Sequence, residues 1–143
     1  MQAKQVSVFI ENREGRLEEV LTAIKDAGVN ILSLSLADTS EYGLLRLIVS
    51  DPEAADKALK QGGFSSMLTN VLVVRLNNEV GSLQDLLCAV AKEKINLEYM
   101  YGLTIEKEGK ASLVIKASDL EKAAAVLKKA GADLLSNEEI VSL

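Results

Sequence analysis

The sequence has no histidine and no tryptophan, one cysteine (Cys88), one proline (Pro52), and aromatic residues at only 3% of its positions. Without histidine there can be no Ser-His-Asp or Cys-His catalytic arrangement and no histidine-bearing metal site. A lone cysteine forms no internal disulfide. No apolar run approaches the ~20 residues that cross a bilayer, and Met1 to Ile10 lacks the apolar stretch of a secretion signal. The chain is therefore expected to be cytoplasmic, with no membrane partner. Positive charge is also scarce: 16 Lys and Arg stand against 21 Asp and Glu, a net −5, divided −3 over residues 1–69 and −2 over residues 70–143. Neither half has the basic footprint of nucleic-acid binding.

What the sequence does contain is a tandem repeat. Asn12, Gly15 and Leu17 in Asn12-Arg13-Glu14-Gly15-Arg16-Leu17 recur as Asn78, Gly81 and Leu83 in Asn78-Glu79-Val80-Gly81-Ser82-Leu83. Asn30-Ile31 recurs as Asn96-Leu97, and both recurrences have an offset of 66. A repeat of this period implies two similar units, 1–69 and 70–143. Units of that size are marginal alone, so they are expected to share a core or to continue one sheet with each other or with a second chain.

Each copy spells the same order of elements. Val6 to Ile10 is β-rich, and Leu17, Val20, Leu21 and Ile24 fall at i, i+3, i+4 and i+7 of a helix that Gly28 ends. Strands are predicted over Asn30 to Ala37 and Gly43 to Val49, joined by a turn around Ser40 to Tyr42. Ser50-Asp51-Pro52-Glu53 reads as a capping box that opens a helix to about Gln61, with a short strand near Phe64 to Leu68 beyond Gly62-Gly63. The second copy runs through strand Val71 to Leu76, helix stripe Leu83, Leu86, Leu87 and Val90, and strands near Ile95 to Ile105 and Lys110 to Ile115. Its last helix opens at Ser118-Asp119-Leu120-Glu121, with Leu120, Ala124 and Leu127 inward, and ends at Gly131. There the offset has become 68, which places two added residues just before this helix. The order βαββαβ thus occurs twice, each a split βαβ unit whose helices cover one face of its sheet.

The turn has a physical reading of its own. A glycine between strand and helix lets backbone approach a ligand closely, and the N–H groups of a helix start can hold a carboxylate. Asn12 and Asn78 offer an amide donor beside a carbonyl acceptor, the mixture that an α-amino acid needs.

The doubled βαββαβ order, Glu11-Asn12-Arg13-Glu14-Gly15-Arg16-Leu17 and Gly28-Val29-Asn30-Ile31 together resemble the ACT domain family of amino-acid-sensing regulatory modules, over nearly the whole chain. Family members often have proline before the turn glycine, where this chain has Glu14 and Val80. The resemblance implies an α+β fold of two ferredoxin-like units with antiparallel sheets and helices on one face. It also implies a ligand at the interface between the first turn of one unit and the second-strand start of the other. One pocket would combine Asn12, Gly15, Arg16 and Leu17 with Asn96 and Leu97. The other would combine Asn78, Gly81, Ser82 and Leu83 with Asn30 and Ile31. Glu14 and Val80 make the two pockets unlike, as do Arg16 and Ser82.

The expected function is therefore a non-catalytic, allosteric regulatory protein that binds a free amino acid, with no cofactor and no metal, since no nucleophile-base pair or metal-ligand spacing can be assembled. Its resemblance to small ACT regulatory subunits implies a biosynthetic enzyme as partner; a homodimer stays open. The alternative is an assembly module that pairs with such an enzyme through its sheet edges and binds no ligand. Plainer readings stand beside each residue. The glycines, Asn30 and Asn96 suit ordinary turns. Arg16 suits a carboxylate or solvent. Cys88 suits a small packed or half-buried thiol, and Tyr99 and Tyr101 suit an interface or a sheet face. Glu18-Glu19 and Glu138-Glu139 suit solvated surface. Leu21 and Leu87 are expected as equivalent core residues.

Overall fold

The computed structural model describes residues 2–38, 41–103 and 109–143. The chain divides into two compact units, a first of Lys4–Thr69 and a second of Asn70–Leu143, which also takes in the chain start as far as Ala3. The first unit contains β1 (Ala3–Glu11), α1 (Arg16–Asp26), β2 (Ile31–Asp38), β3 (Tyr42–Val49), α2 (Pro52–Gln61) and the start of β4 (Ser65–Asn77). Its sheet order is β2-β3-β1-β4. The second unit contains the rest of β4, then α3 (Ser82–Lys92), β5 (Leu97–Gly102), β6 (Lys110–Ala117), α4 (Leu120–Lys129), β7 (Asp133–Leu134) and α5 (Asn137–Val141). Its order is β7-β4-β6-β5. The fold is α+β, with the strand pairs β1–β3, β2–β3, β4–β6, β4–β7 and β5–β6 all antiparallel. Part of the turn expected at Ser40 to Tyr42, and the strand end at Ile105, lie outside the described residues.

Each unit has its own apolar core, and most core positions recur at the repeat offsets. Val6, Val8 and Ile10 of β1, Val20 and Ile24 of α1, and Leu47 and Val49 of β3 are buried together with Ala55 and Leu59 of α2. At the repeat offsets stand Leu72, Val74, Leu76, Leu86, Val90, Ile115, Ala117, Ala123 and Leu127, buried in the second core. Period-2 strands and period-3.6 helices therefore bring the same positions inward twice. Phe64 in the first core answers to Ala132 in the second.

Several expectations are corrected. The strands expected at Phe64 to Leu68 and Val71 to Leu76 are one continuous 13-residue strand, β4. No glycine or proline interrupts Ser65 to Asn77, so nothing forces the chain to turn. The two added residues fall between β5 and β6 and not before α4. Ile31 pairs with Val49 and Leu97 with Ala117, so the offset is 66 on one strand and already 68 on the next. Leu21 and Leu87 are half-buried on the helix flanks and belong to neither core. Cys88 is exposed. Ser50 and Ser118 are not caps: Asp51 and Asp119 cap α2 and α4, their carboxylates accepting from the N–H of Ala54 at 3.1 Å and of Lys122 at 3.0 Å. The capping box belongs to α5, unforeseen in the sequence, where Ser136 and Glu139 bond each other's backbone N–H. Glu139 is thus a structural group.

Candidate functional site

The duplicated turn folds the same way in both units. Gly15 and Gly81 are the N-caps of α1 and α3, with φ of 81° and 87°. Only glycine holds that left-handed conformation without strain. Space beside each is open, with no atom within 4 Å of where a Cβ would sit. Four backbone hydrogen bonds repeat in register. Asn12, Arg13, Arg16 and Glu19 donate to Glu41, Glu11, Arg13 and Gly15; Asn78, Glu79, Ser82 and Asp85 donate to Gly109, Asn77, Glu79 and Gly81.

These two helix starts differ from the others. Helices α2, α4 and α5 are capped by Asp51, Asp119 and Ser136, whereas α1 and α3 have no side-chain cap. Among the described residues, the N–H groups of Leu17 and Glu18, and of Leu83 and Gln84, therefore meet no protein acceptor. Aligned peptide dipoles give such an end a partial positive charge, so it favours an anion.

The other expected residues divide among separate clefts. In the first unit, Asn12 and Leu17 line a cleft of about 240 Å³ with Ile10, Leu36 and Gly43. Asn30 and Ile31 line another, of about 370 Å³, with Leu21 and Val29. The backbone of Asn30 is held at both ends by Ser50, whose hydroxyl accepts from Asn30 N–H at 2.9 Å and whose N–H donates to Asn30 C=O at 2.9 Å. Ser118 holds Asn96 in the same way. These serine hydroxyls fix the second-strand start instead of capping a helix.

In the second unit, Gly81 and Leu83 line an open groove along α3 with Leu87 and Cys88, Val80 is fully exposed, and Leu97 packs against the core. Ser82 faces a separate polar cleft with Arg75 and Lys110.

Arg16 packs within its own unit instead of standing free in solvent. Its guanidinium lies over the Phe64 ring, 4.5 Å from the centroid, and one terminal nitrogen contacts Glu19. Beside the turn, a hydrogen bond from Arg13 at 2.7 Å, followed by the charge of the same group, holds the Glu11 carboxyl below its ordinary pKa. Among the described residues no group of His, Cys, Asp and Glu could hold a metal ion. No helix there is long and apolar enough to cross a membrane.

Comparison with known proteins agrees with this doubled architecture. A search of curated proteins finds no match. The chain is 37% identical to protein BT0572 from Bacteroides thetaiotaomicron, covering 100% of this chain and 98% of that one, with a TM-score of 0.92. Its fold is also similar to the ligand-free regulatory subunit of aspartate kinase from Thermus thermophilus, at 18% identity and a TM-score of 0.65 over 90% of this chain and 91% of that one. The corresponding subunit from Thermus flavus gives 20% identity and 0.61 over 89% and 91%. A family model described as an ACT domain pair matches residues 1–143, and the chain belongs to that family.

Proposed function

We propose that this ACT domain pair binds a free amino acid at its duplicated turns and passes that occupancy to a biosynthetic enzyme, without catalysing a reaction itself. The observation that carries this reading is the pair of uncapped helix starts, in register, where the other three helices among the described residues are all capped. The ligand carboxylate lies on the first-turn N–H groups after Gly15 or Gly81, and the amide of Asn12 or Asn78 meets its polar end. The second-strand start of a paired unit completes each half-site, Asn96 and Leu97 for the first turn and Asn30 and Ile31 for the second. Glu14 against Val80 and Arg16 against Ser82 give the two sites different affinities. The similarity to regulatory subunits of aspartate kinase supports a regulatory role of this kind.

A thermal-shift screen against the twenty amino acids tests the proposal. At a concentration a hundredfold above its dissociation constant, a ligand stabilises the fold by about 2.7 kcal/mol per site. The double variant Asn12→Ala, Asn78→Ala should lose that response and keep its ligand-free melting temperature, since both residues are exposed. If no amino acid raises the transition, or the double variant responds as the wild type does, the sensor reading is wrong.

One observation favours the assembly reading as the second choice. Among the described residues strand β2 pairs with β3 alone, and Leu34 and Leu36, which sit opposite the core residues Leu47 and Leu45, are 46% and 48% exposed. An open edge with an apolar stripe is a template for strand pairing.

A further inference from the structure

The two units differ in side-chain chemistry where Arg16 and Phe64 stand. At the repeat offsets these become Ser82 and Ala132. The equivalence is structural as well as sequential: Phe64 N–H donates to Leu59 C=O at 2.9 Å, and Ala132 N–H to Leu127 C=O at 3.1 Å. In the first unit the space is filled by the arginine stem, its guanidinium and the aromatic ring. In the second it is a cleft of about 280 Å³ lined by Ser82, Ala132, Asp85, Arg75 and Lys110 among others. It adjoins a larger cleft of about 640 Å³ that shares Arg75, Gly131, Ala132 and Asp133.

The charges of this cleft have been rearranged to match. Asp85 stands where Glu19 stands in the first unit. Glu19 holds the Arg16 guanidinium, but Asp85 has no cationic partner among the described residues. The acid has been kept and its cation removed. Arg75 and Lys110, in contrast, stand where the first unit has Phe9 and Tyr42, so both cations are particular to the second unit. Arg75 is only loosely paired, its Nε 3.6 Å from Asp133, and Lys110 hydrogen-bonds the neutral Asn77.

We infer that this cleft is a binding site, present in the second unit only, for a small zwitterion of the α-amino-acid class. The ligand ammonium takes the place of the missing guanidinium at Asp85, and the ligand carboxylate lies between Lys110 and Arg75. Its side chain enters the space that Phe64 fills in the first unit, over Ala132 and Leu86. Charge-assisted hydrogen bonds to both ends set the class, because a group bearing only one charge leaves the opposite set of partners unused. This cleft shares Ser82 with the second turn but includes neither Asn12 nor Asn78, and it does not rest on a ligand at the turns.

The test is a titration of the ¹⁵N-labelled full chain with each of the twenty amino acids, and with acetate and methylammonium as single-charge probes. An amino acid should shift the amides of Asp85, Gly131, Ala132 and Asp133, and the single-charge probes should bind at least about tenfold more weakly. Ala132→Phe together with Ser82→Arg rebuilds the first unit's plug and should abolish those shifts. Lys110→Gln, on a partly exposed strand end, keeps the fold and should weaken binding about tenfold. Asn12→Ala with Asn78→Ala should leave them intact, which separates failure here from failure of the turn site. The inference is overturned if no amino acid moves these amides, or if Lys110→Gln and a folded plug variant bind as tightly as the wild type.

Discussion

Arg16 and Phe64 form a cation–π pair within the first unit, the guanidinium carbon 4.5 Å from the ring centroid. Phe64 is only 9% exposed, so Phe64→Ala should cost about 3 to 5 kcal/mol. Arg16→Ala should cost less, and Arg16→Met less again, because the methionine keeps the apolar stem that packs on the ring. In a double-mutant cycle on urea unfolding, Arg16→Ala and Phe64→Ala should couple by about 0.5 to 2 kcal/mol. Additive effects would show that the contact carries no energy of its own.

Gly15→Ala and Gly81→Ala meet no steric obstacle, since the space beside each is empty. Their cost is confined to backbone strain at positive φ, about 1 to 2 kcal/mol each. Asparagine at either position should cost less than alanine, because it visits the left-handed region more readily. Equal stability of the alanine variants and the wild type in chemical denaturation would mean that the turn relaxes to another conformation.

The repeat, its offset and most of both cores could be read directly from the sequence, because periodicity reports which face is buried and the same positions recur. What could not be read depends on competition between neighbours. In Ser50-Asp51-Pro52-Glu53 both Ser50 and Asp51 can cap a helix, and the aspartate wins because the serine hydroxyl is taken by Asn30 N–H, twenty residues away. Leu21 and Leu87 fit the apolar stripe but fall at its margin, where the helix turns from core to solvent. The continuity of β4 was available as a signal, since no breaker lies between Ser65 and Asn77. The Arg16–Phe64 pair and the Arg75 cleft join residues from distant segments, and nothing local marks them.

The serines and the aspartates at these two helix starts can be separated by mutation. Ser50→Ala and Ser118→Ala should each cost about 0.5 to 1.5 kcal/mol through the lost bond to the second-strand start. Asp51→Ala and Asp119→Ala should cost about 0.5 to 2 kcal/mol as lost caps. Glu53→Ala, which a capping box at Ser50 would make costly, should be nearly neutral. A Glu53→Ala penalty as large as that of Asp51→Ala, measured by thermal unfolding, would restore the capping-box reading.

The acid limb of stability should report on Asp56. Burial works to raise the pKa of this carboxyl, yet the hydrogen bonds from Lys60 at 2.8 Å and Ser66 at 2.7 Å outweigh it, and the pKa is lowered. A carboxyl with a folded-state pKa below its unfolded value favours the fold while it is ionised in both states. That contribution is complete at neutral pH, begins to fall near the unfolded pKa of about 3.9, and is lost as pH drops through the folded value. Asp56→Asn should therefore be less stable than the wild type at pH 7, with the difference shrinking steadily on acidification. Added salt should trim only the Lys60 part, because that lysine side chain is 57% exposed and exposed pairs are screened. Urea unfolding of both chains across the acid range decides the matter: a gap that stays constant down to low pH would mean that Asp56 contributes through packing and not through its charge.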